Sequence, residues 1–128
     1  MRNYKHTDPE FTERFEYFAY DEGVNEEGQQ LDDVTCHMAI TAALIGYRGI
    51  DEFRLEVPRA LDAGLTPAML KEVVHQAVAY LGIRRVRPFF DAVNNILTSR
   101  GVKLPLENQA TTTQEDWLEK GVQAQVST

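Results

Sequence analysis

The amino-acid sequence predicts an all-α protein of about six helices around one hydrophobic core. Apolar residues recur at steps of three and four over several long segments, as in amphipathic helices. No segment of any length alternates between apolar and polar residues, as a half-buried strand would. A chain of 128 residues is long enough for one core and leaves little surplus for a second.

The clearest helix signals lie between Leu65 and Gly82. Thr66 is a favourable N-cap, Pro67 suits the first helical position, and Gly82 can adopt the left-handed conformation that ends a helix. An apolar stripe in this segment is formed by Leu70, Val73, Val74, Ala77 and Leu81. We therefore predict one complete helix with a wide core-facing side.

A second line on the same helix is polar. Glu72, Gln76 and Tyr80 follow one another at four-residue steps and so share a face. These three side chains either contribute to a common pocket or face solvent, where Glu and Gln usually lie.

Aromatic residues dominate the first predicted helix, which Asp8 and Pro9 open. The rings are those of Phe11, Phe15 and Phe18, with Tyr4 or Tyr20 on neighbouring turns. Such a cluster is typical of a core or a subunit interface. Residues 23–30 contain two glycines without apolar periodicity, which predicts a loop.

The segment from Leu31 to Tyr47 is the most apolar and is predicted to be the central buried helix, with Asp32 or Asp33 at its positive end. Cys36 near its start is either an activated thiol or a small buried hydrophobe, and we favour the buried thiol. We interpret His37 as a hydrogen-bonded or surface imidazole, because zinc needs three or four ligands.

A helix over Asp51–Ala63 is predicted to end at Gly64. It contains Pro58, which is expected to kink it or divide it in two. Glu52 and Glu56 share one face of this helix. Arg54 and Arg59 can form exposed ion pairs with them.

Two helices follow the Leu65–Gly82 segment. We interpret residues 83–87 as a basic link, after which Pro88 begins a helix that Gly101 ends. A capping box from Thr112 to Glu115 precedes the last helix, which carries Trp117. The indole of Trp117 requires a surface on this domain or on another subunit.

Charge and composition exclude several classes of function. Thirteen Lys and Arg oppose twenty Asp and Glu, giving a net charge of −7, which disfavours binding to nucleic acid or to an anionic membrane. A single cysteine permits neither an intramolecular disulfide nor a thiolate zinc cage. No segment is of signal-peptide or membrane-spanning type. We expect a cytoplasmic protein.

One stretch of sequence resembles a known family. The residues concerned are Ala60, Leu61, Gly64, Thr66, Lys71, Glu72, Gln76, Tyr80 and Gly82. Together with the segments before them they resemble the carboxymuconolactone decarboxylase family, which includes alkylhydroperoxidase-D-like proteins, over about residues 31–100. The resemblance implies an all-helical fold with an antiparallel helix pair at its core. It also implies assembly into homo-oligomers, commonly trimers or hexamers. We expect the protein to use neither a cofactor nor a metal ion.

Two departures from that family bear on activity. Members with decarboxylase or peroxidase chemistry usually carry a histidine where this chain has Glu56, and the peroxidase branch carries Cys-x-x-Cys where Gly49 and Glu52 stand. Peroxidase chemistry is disfavoured because a disulfide relay needs two thiols there.

The resemblance leads to three hypotheses. In the first, the protein is a lyase for a small carboxylated lactone or ring acid, with Glu56, Gln76 and Tyr80 as catalytic residues. Substrate would then be bound by Glu72, Arg84 and Arg85, since a guanidinium suits a carboxylate. The second is a non-catalytic oligomeric protein that binds a small anion, and the third, least favoured, is a redox protein using Cys36. Whether the chain is an enzyme stays open at this stage.

Residues 1–104 are predicted to form the family domain, and residues 105–128 a linker with a C-terminal helix. This tail is similar to the segment that joins the two halves of tandem members of the family. The last helix is therefore a candidate for exchange between subunits.

Overall fold

A computed structural model describes residues 4–18 and 31–127, and this part of the chain forms six helices and no strand. The helices are α1 (Pro9–Glu16), α2 (Asp33–Gly46), α3 (Ile50–Asp62), α4 (Pro67–Leu81), α5 (Ile83–Ser99) and α6 (Trp117–Ser127). The all-α prediction is confirmed. Tyr20 and the loop predicted at residues 23–30 lie outside the described residues.

The core is made by four helices, α2 to α5. Helix α2 packs on α3 and α4, and α5 also packs on α3 and α4. In this arrangement α3 and α4 occupy opposite corners of the bundle. The rings of Phe53 and Phe89 meet edge to face at the centre, with centroids 5.0 Å apart. Both rings are fully buried, as are Ile45, Leu70 and Leu97.

Helices α2, α3 and α5 end with the same pair of backbone hydrogen bonds. In α3 the N–H of Leu65 donates to the carbonyl of Ala60, and a residue with positive φ stands between helix and loop, which is a Schellman motif. That residue is Gly64 in α3 and Gly101 in α5, but Arg48 in α2, where φ is 64°. A non-glycine residue in this conformation is strained by its Cβ.

The predicted effects of two prolines need correction. Helix α3 runs without interruption through Pro58, so the proline does not divide it. Residues 83–87 are not a link but the first turn of α5, which begins at Ile83 and contains Pro88. Gly82 alone separates α4 from α5, with φ 84°, and it is therefore the breaking residue.

The structure confirms one predicted N-cap and decides between two candidates for another. Thr66 accepts a hydrogen bond from the backbone of Met69 at the start of α4. Of the two aspartates at the start of α2, Asp32 is the cap, accepting from the backbone N–H of Thr35 at 2.7 Å.

The start of α6 differs from the predicted capping box. Asp116, immediately before the helix, accepts from the N–H of Thr113, and Glu115 does not take the predicted role. The backbone and side chain of Lys120 also bond to Asp116.

Helices α1 and α6 expose much of their apolar surface. Phe11 of α1 and Phe18, two residues beyond the end of α1, are more than 60% exposed, and Trp117 is 60% exposed, so these rings are not part of the core of this chain. Trp117 does not bury its indole on its own domain. The interface alternative for these residues stays a prediction. Across the described residues, no helix is both long and apolar enough to cross a membrane.

Candidate active site

A buried carboxylate and an imidazole meet between α2 and α3. Glu56 of α3 is 4% exposed, and its Oε1 is hydrogen-bonded to Nδ1 of His37 on α2. The side chain of His37 is 21% exposed. With Glu56 as a carboxylate, Nδ1–H of His37 donates to Oε1, and this contact fixes the orientation of both side chains.

Helical periodicity explains why both residues face inward. Glu56 lies three residues after Phe53 and next to Val57, and both of these are fully buried. His37 lies four residues before Thr41, which is also fully buried. Each polar residue is therefore on the apolar side of its helix. The sequence predicts Glu56 both as a member of exposed ion pairs and as a catalytic residue, but it does not identify His37, which lies 19 residues away on another helix, as its partner.

Glu56 also lines a cavity of about 360 Å³. This size is near the lower end of the range for small-molecule sites. The cavity has aromatic and aliphatic walls together with two carboxylates and one guanidinium. Its lining residues are Phe15, Ile40, Leu44, Tyr47, Glu52, Glu56 and Arg59. We call it the Glu56 cavity.

Three of the predicted site residues lie together elsewhere. Glu72, Gln76 and Tyr80 line an apolar groove of about 660 Å³ between α2 and α4. The amide of Gln76 donates to Glu72 at 2.6 Å, and Tyr80 is 87% exposed. The structure thus brings the polar line of α4 into one groove, but a different one from the cavity that Glu56 lines.

The two predicted substrate-binding arginines lie in the first turn of α5. Arg84 and Arg85 are both exposed. The guanidinium that lines the Glu56 cavity is that of Arg59, which the sequence analysis had assigned to an ion pair only.

Cys36 is neither fully buried nor fully exposed. Its Sγ lies 3.9 Å from the carbonyl oxygen of Leu31. The preferred expectation of a buried thiol is therefore only partly met. Among residues 4–18 and 31–127, no group of three or more His, Cys, Asp and Glu side chains is arranged to hold a metal ion.

Comparison with known proteins places the chain in a family. A model of the carboxymuconolactone decarboxylase family matches residues 9–95. Searches of curated proteins and of solved structures gave no match. The family model covers helices α1 to α4 and most of α5, including both His37 and Glu56. Because this match extends over more than half of the sequence, the chain belongs to the carboxymuconolactone decarboxylase family.

Proposed function

We propose that the protein is a cofactor-free lyase that acts on a small carboxylated lactone or ring acid, with Glu56 as general acid or base. The observation that carries the proposal is the buried Glu56 carboxylate, which contacts an imidazole and also lines a cavity. A carboxyl group in such a position can transfer a proton to or from a bound ligand. Loss of carbon dioxide from a ring acid leaves a carbanion or enolate that must be protonated. Glu56 in its protonated form would supply that proton, and the carboxylate left behind would take up another from water before the next turnover.

His37 would act as a positioning residue. It contacts Glu56 from α2 but is not among the residues that line the cavity. Its hydrogen bond would hold the carboxyl group in one orientation and exchange a proton with it between turnovers. Family relatives usually carry a histidine at the position of Glu56. In this chain the imidazole near the site is that of His37, on another helix.

Arg59 would bind the carboxylate of the substrate. It lines the same cavity as Glu56 and lies three residues further along α3, so that both side chains are on one side of that helix. A guanidinium has five N–H donors and can keep a contact within the protein while it binds a carboxylate.

The remaining predicted site residues would act in the apolar groove between α2 and α4. Gln76 and Tyr80 would orient a ligand there, with Glu72 beside them, and Arg84 or Arg85 would bind its carboxylate. Replacing Tyr80 with Phe tests this, because loss of the hydroxyl weakens binding of a ring acid in this groove only if Tyr80 contacts the ligand.

The decisive experiment is a screen of γ-carboxylated lactones for release of carbon dioxide. Replacing Glu56 with Gln should lower turnover by about 10²- to 10⁴-fold, the usual contribution of a general acid or base. Asp51→Asn makes the same chemical change at an exposed position of the same helix and should retain activity. Turnover that survives Glu56→Gln, or a purified protein that converts none of these acids, would contradict the proposal.

For His37 the informative measurement is the pH profile. His37→Ala should lower the turnover rate and also change its pH dependence. His37→Gln keeps an N–H donor and should therefore retain part of the activity that His37→Ala loses. A pH profile identical to that of the wild type would limit His37 to a structural role.

A non-catalytic protein that binds a small anion is the second candidate. Arg59 in the Glu56 cavity supports it equally, because anion binding needs the guanidinium but no proton transfer. Ring acids that bind in an Arg59-dependent manner without being converted would favour this candidate over the lyase.

We also propose that the chain forms a homo-oligomer. The exposed rings of α1 and the exposed Trp117 of α6 support this proposal, because aromatic side chains are enriched at interfaces between proteins. Light scattering over a range of protein concentrations tests this, and a mass of one chain at every concentration would contradict it.

A further inference from the structure

Tyr47 lines the Glu56 cavity from the turn between α2 and α3. The turn between α2 and α3 consists of Tyr47, Arg48 and Gly49. Gly49 has φ −81° and ψ 66°, and the N–H of Ile50 donates to the carbonyl of Arg48 at 3.0 Å. These values define an inverse γ-turn at Gly49, a conformation open to residues with side chains. The backbone at residue 49 does not itself require glycine.

The side chain of Tyr47 gives the reason for a glycine at this position. A Cβ atom on residue 49 would lie 2.6 Å from Cε2 and 2.9 Å from Cζ of the Tyr47 ring. Distances this short would force the ring to move, because it occupies the space that a side chain on residue 49 would fill. The same ring lines the Glu56 cavity and is 66% exposed. The turn thus presents an aromatic surface to the cavity at a defined place.

The Glu56 cavity is lined by charged residues as well as by the Tyr47 ring. Phe15 provides a second aromatic wall, Arg59 provides the cation, and Glu56 provides the carboxylate. Flat rings stack favourably on aromatic side chains, whereas puckered saturated rings cannot make the same contact. We infer that Tyr47, positioned by Gly49, is the specificity-determining residue of the Glu56 cavity and selects planar, unsaturated ring acids by stacking. This inference rests on the proposed function, because it names the substrate class of that same site.

Binding of two carboxylates tests the inference without turnover. Benzoate and cyclohexanecarboxylate have the same number of carbon atoms and the same charge, but only benzoate is flat. Their affinities would be measured by NMR titration of the full chain. We expect benzoate to bind about three- to tenfold more tightly, the range of an aromatic stacking contact.

Four variants identify the origin of that preference. Tyr47→Phe keeps the ring and should keep the preference, whereas Tyr47→Leu keeps apolar bulk and should reduce it to within about twofold. Gly49→Ala should also reduce it, because the added Cβ displaces the ring while every residue lining the cavity is unchanged. Gly121→Ala makes the same change in α6, where a Cβ would contact nothing within 4 Å, and should behave as wild type.

The possible results separate this inference from the proposed function. Equal binding of the two acids, absence of binding by both, or a preference that survives in Tyr47→Leu would overturn the inference. A ring preference that depends on Tyr47, in a protein that converts no lactone acid, would uphold the inference and refute the lyase. Circular dichroism spectra of the variants that match wild type would show that the changes in affinity do not come from unfolding.

Discussion

Removal of the imidazole from the buried His37–Glu56 pair should destabilise the protein measurably. Leaving a buried hydrogen-bonding group without its partner costs about 1 to 3 kcal/mol, and more when that group is charged. Here Glu56 is 4% exposed but lines a cavity that water can enter, and the side chain of His37 is 21% exposed. We therefore expect His37→Ala to lower the free energy of unfolding by about 2 to 3 kcal/mol, the upper part of that range, because the group left without a partner is a carboxyl group.

The corresponding thermal shift follows from the size of the chain. An unfolding entropy of about 2.1 cal/mol/K per residue gives roughly 0.27 kcal/mol/K for this protein, so Tm should fall by about 9 °C. Denaturant unfolding followed by circular dichroism measures the free energy directly. All variants must be compared at one protein concentration, because assembly of the chain would add to its apparent stability.

A double-mutant cycle separates the pair from the loss of imidazole volume. Glu56→Gln should cost about 1 kcal/mol, because the amide is neutral and can still bond to His37. Combining it with His37→Ala should cost at least about 1 kcal/mol less than the sum of the single changes. The exposed pair between Arg100 and Asp62 is the matched control, for which Asp62→Asn should cost no more than about 1 kcal/mol. Additivity of His37→Ala and Glu56→Gln within about 0.5 kcal/mol would refute the reasoning.

Three further predictions concern helix ends. Arg48→Gly should raise the free energy of unfolding by up to about 1 kcal/mol, since φ is 64° there, and an unchanged denaturation midpoint would show that this residue is not strained. Thr66→Ala should cost about 1 kcal/mol and Thr66→Ser much less, because serine keeps the hydroxyl that accepts from Met69; equal losses would count against the cap. Hydrogen bonds from the backbone and side chain of Thr35 lower the pKa of Asp32, so its contribution to stability is present above the ordinary pKa of aspartate and is lost as pH falls through the lowered value. Asp32→Asn should therefore lower stability at neutral pH and match wild type at the acid end, so that the difference between the two proteins shrinks as pH falls; unfolding curves from about pH 6 down to about pH 2 will show this.

Much of the fold is encoded in short stretches of sequence. Thr66 forms the predicted N-cap, and Gly64 and Gly101 end their helices with positive φ. Each of these signals acts within a few residues and needs no distant partner, which is why sequence alone identified them. The start of α5 was mispredicted because Pro88 was given more weight than Gly82. A proline inside a helix costs one hydrogen bond, and the packing of α5 on α3 and α4 outweighs that loss.

The candidate site depends on contacts between distant parts of the chain. Sequence singled out Glu56 and the line of Glu72, Gln76 and Tyr80, and the three residues of that line do share a groove. It could not show that Glu56 lies in another cavity, because this depends on α3 and α4 occupying opposite corners of the bundle. Nor could it show the partner of Glu56, which lies 19 residues earlier on another helix.

Sequence by itself therefore determined the helical class, the family and most helix ends, since these follow from apolar spacing and from hydrogen bonds within one or two turns. Only the tertiary structure decided which polar residues meet. The pairing of His37 with Glu56 arises from the packing of α2 against α3. No local pattern specifies that packing, because it is fixed by the fit of whole helix faces in the core.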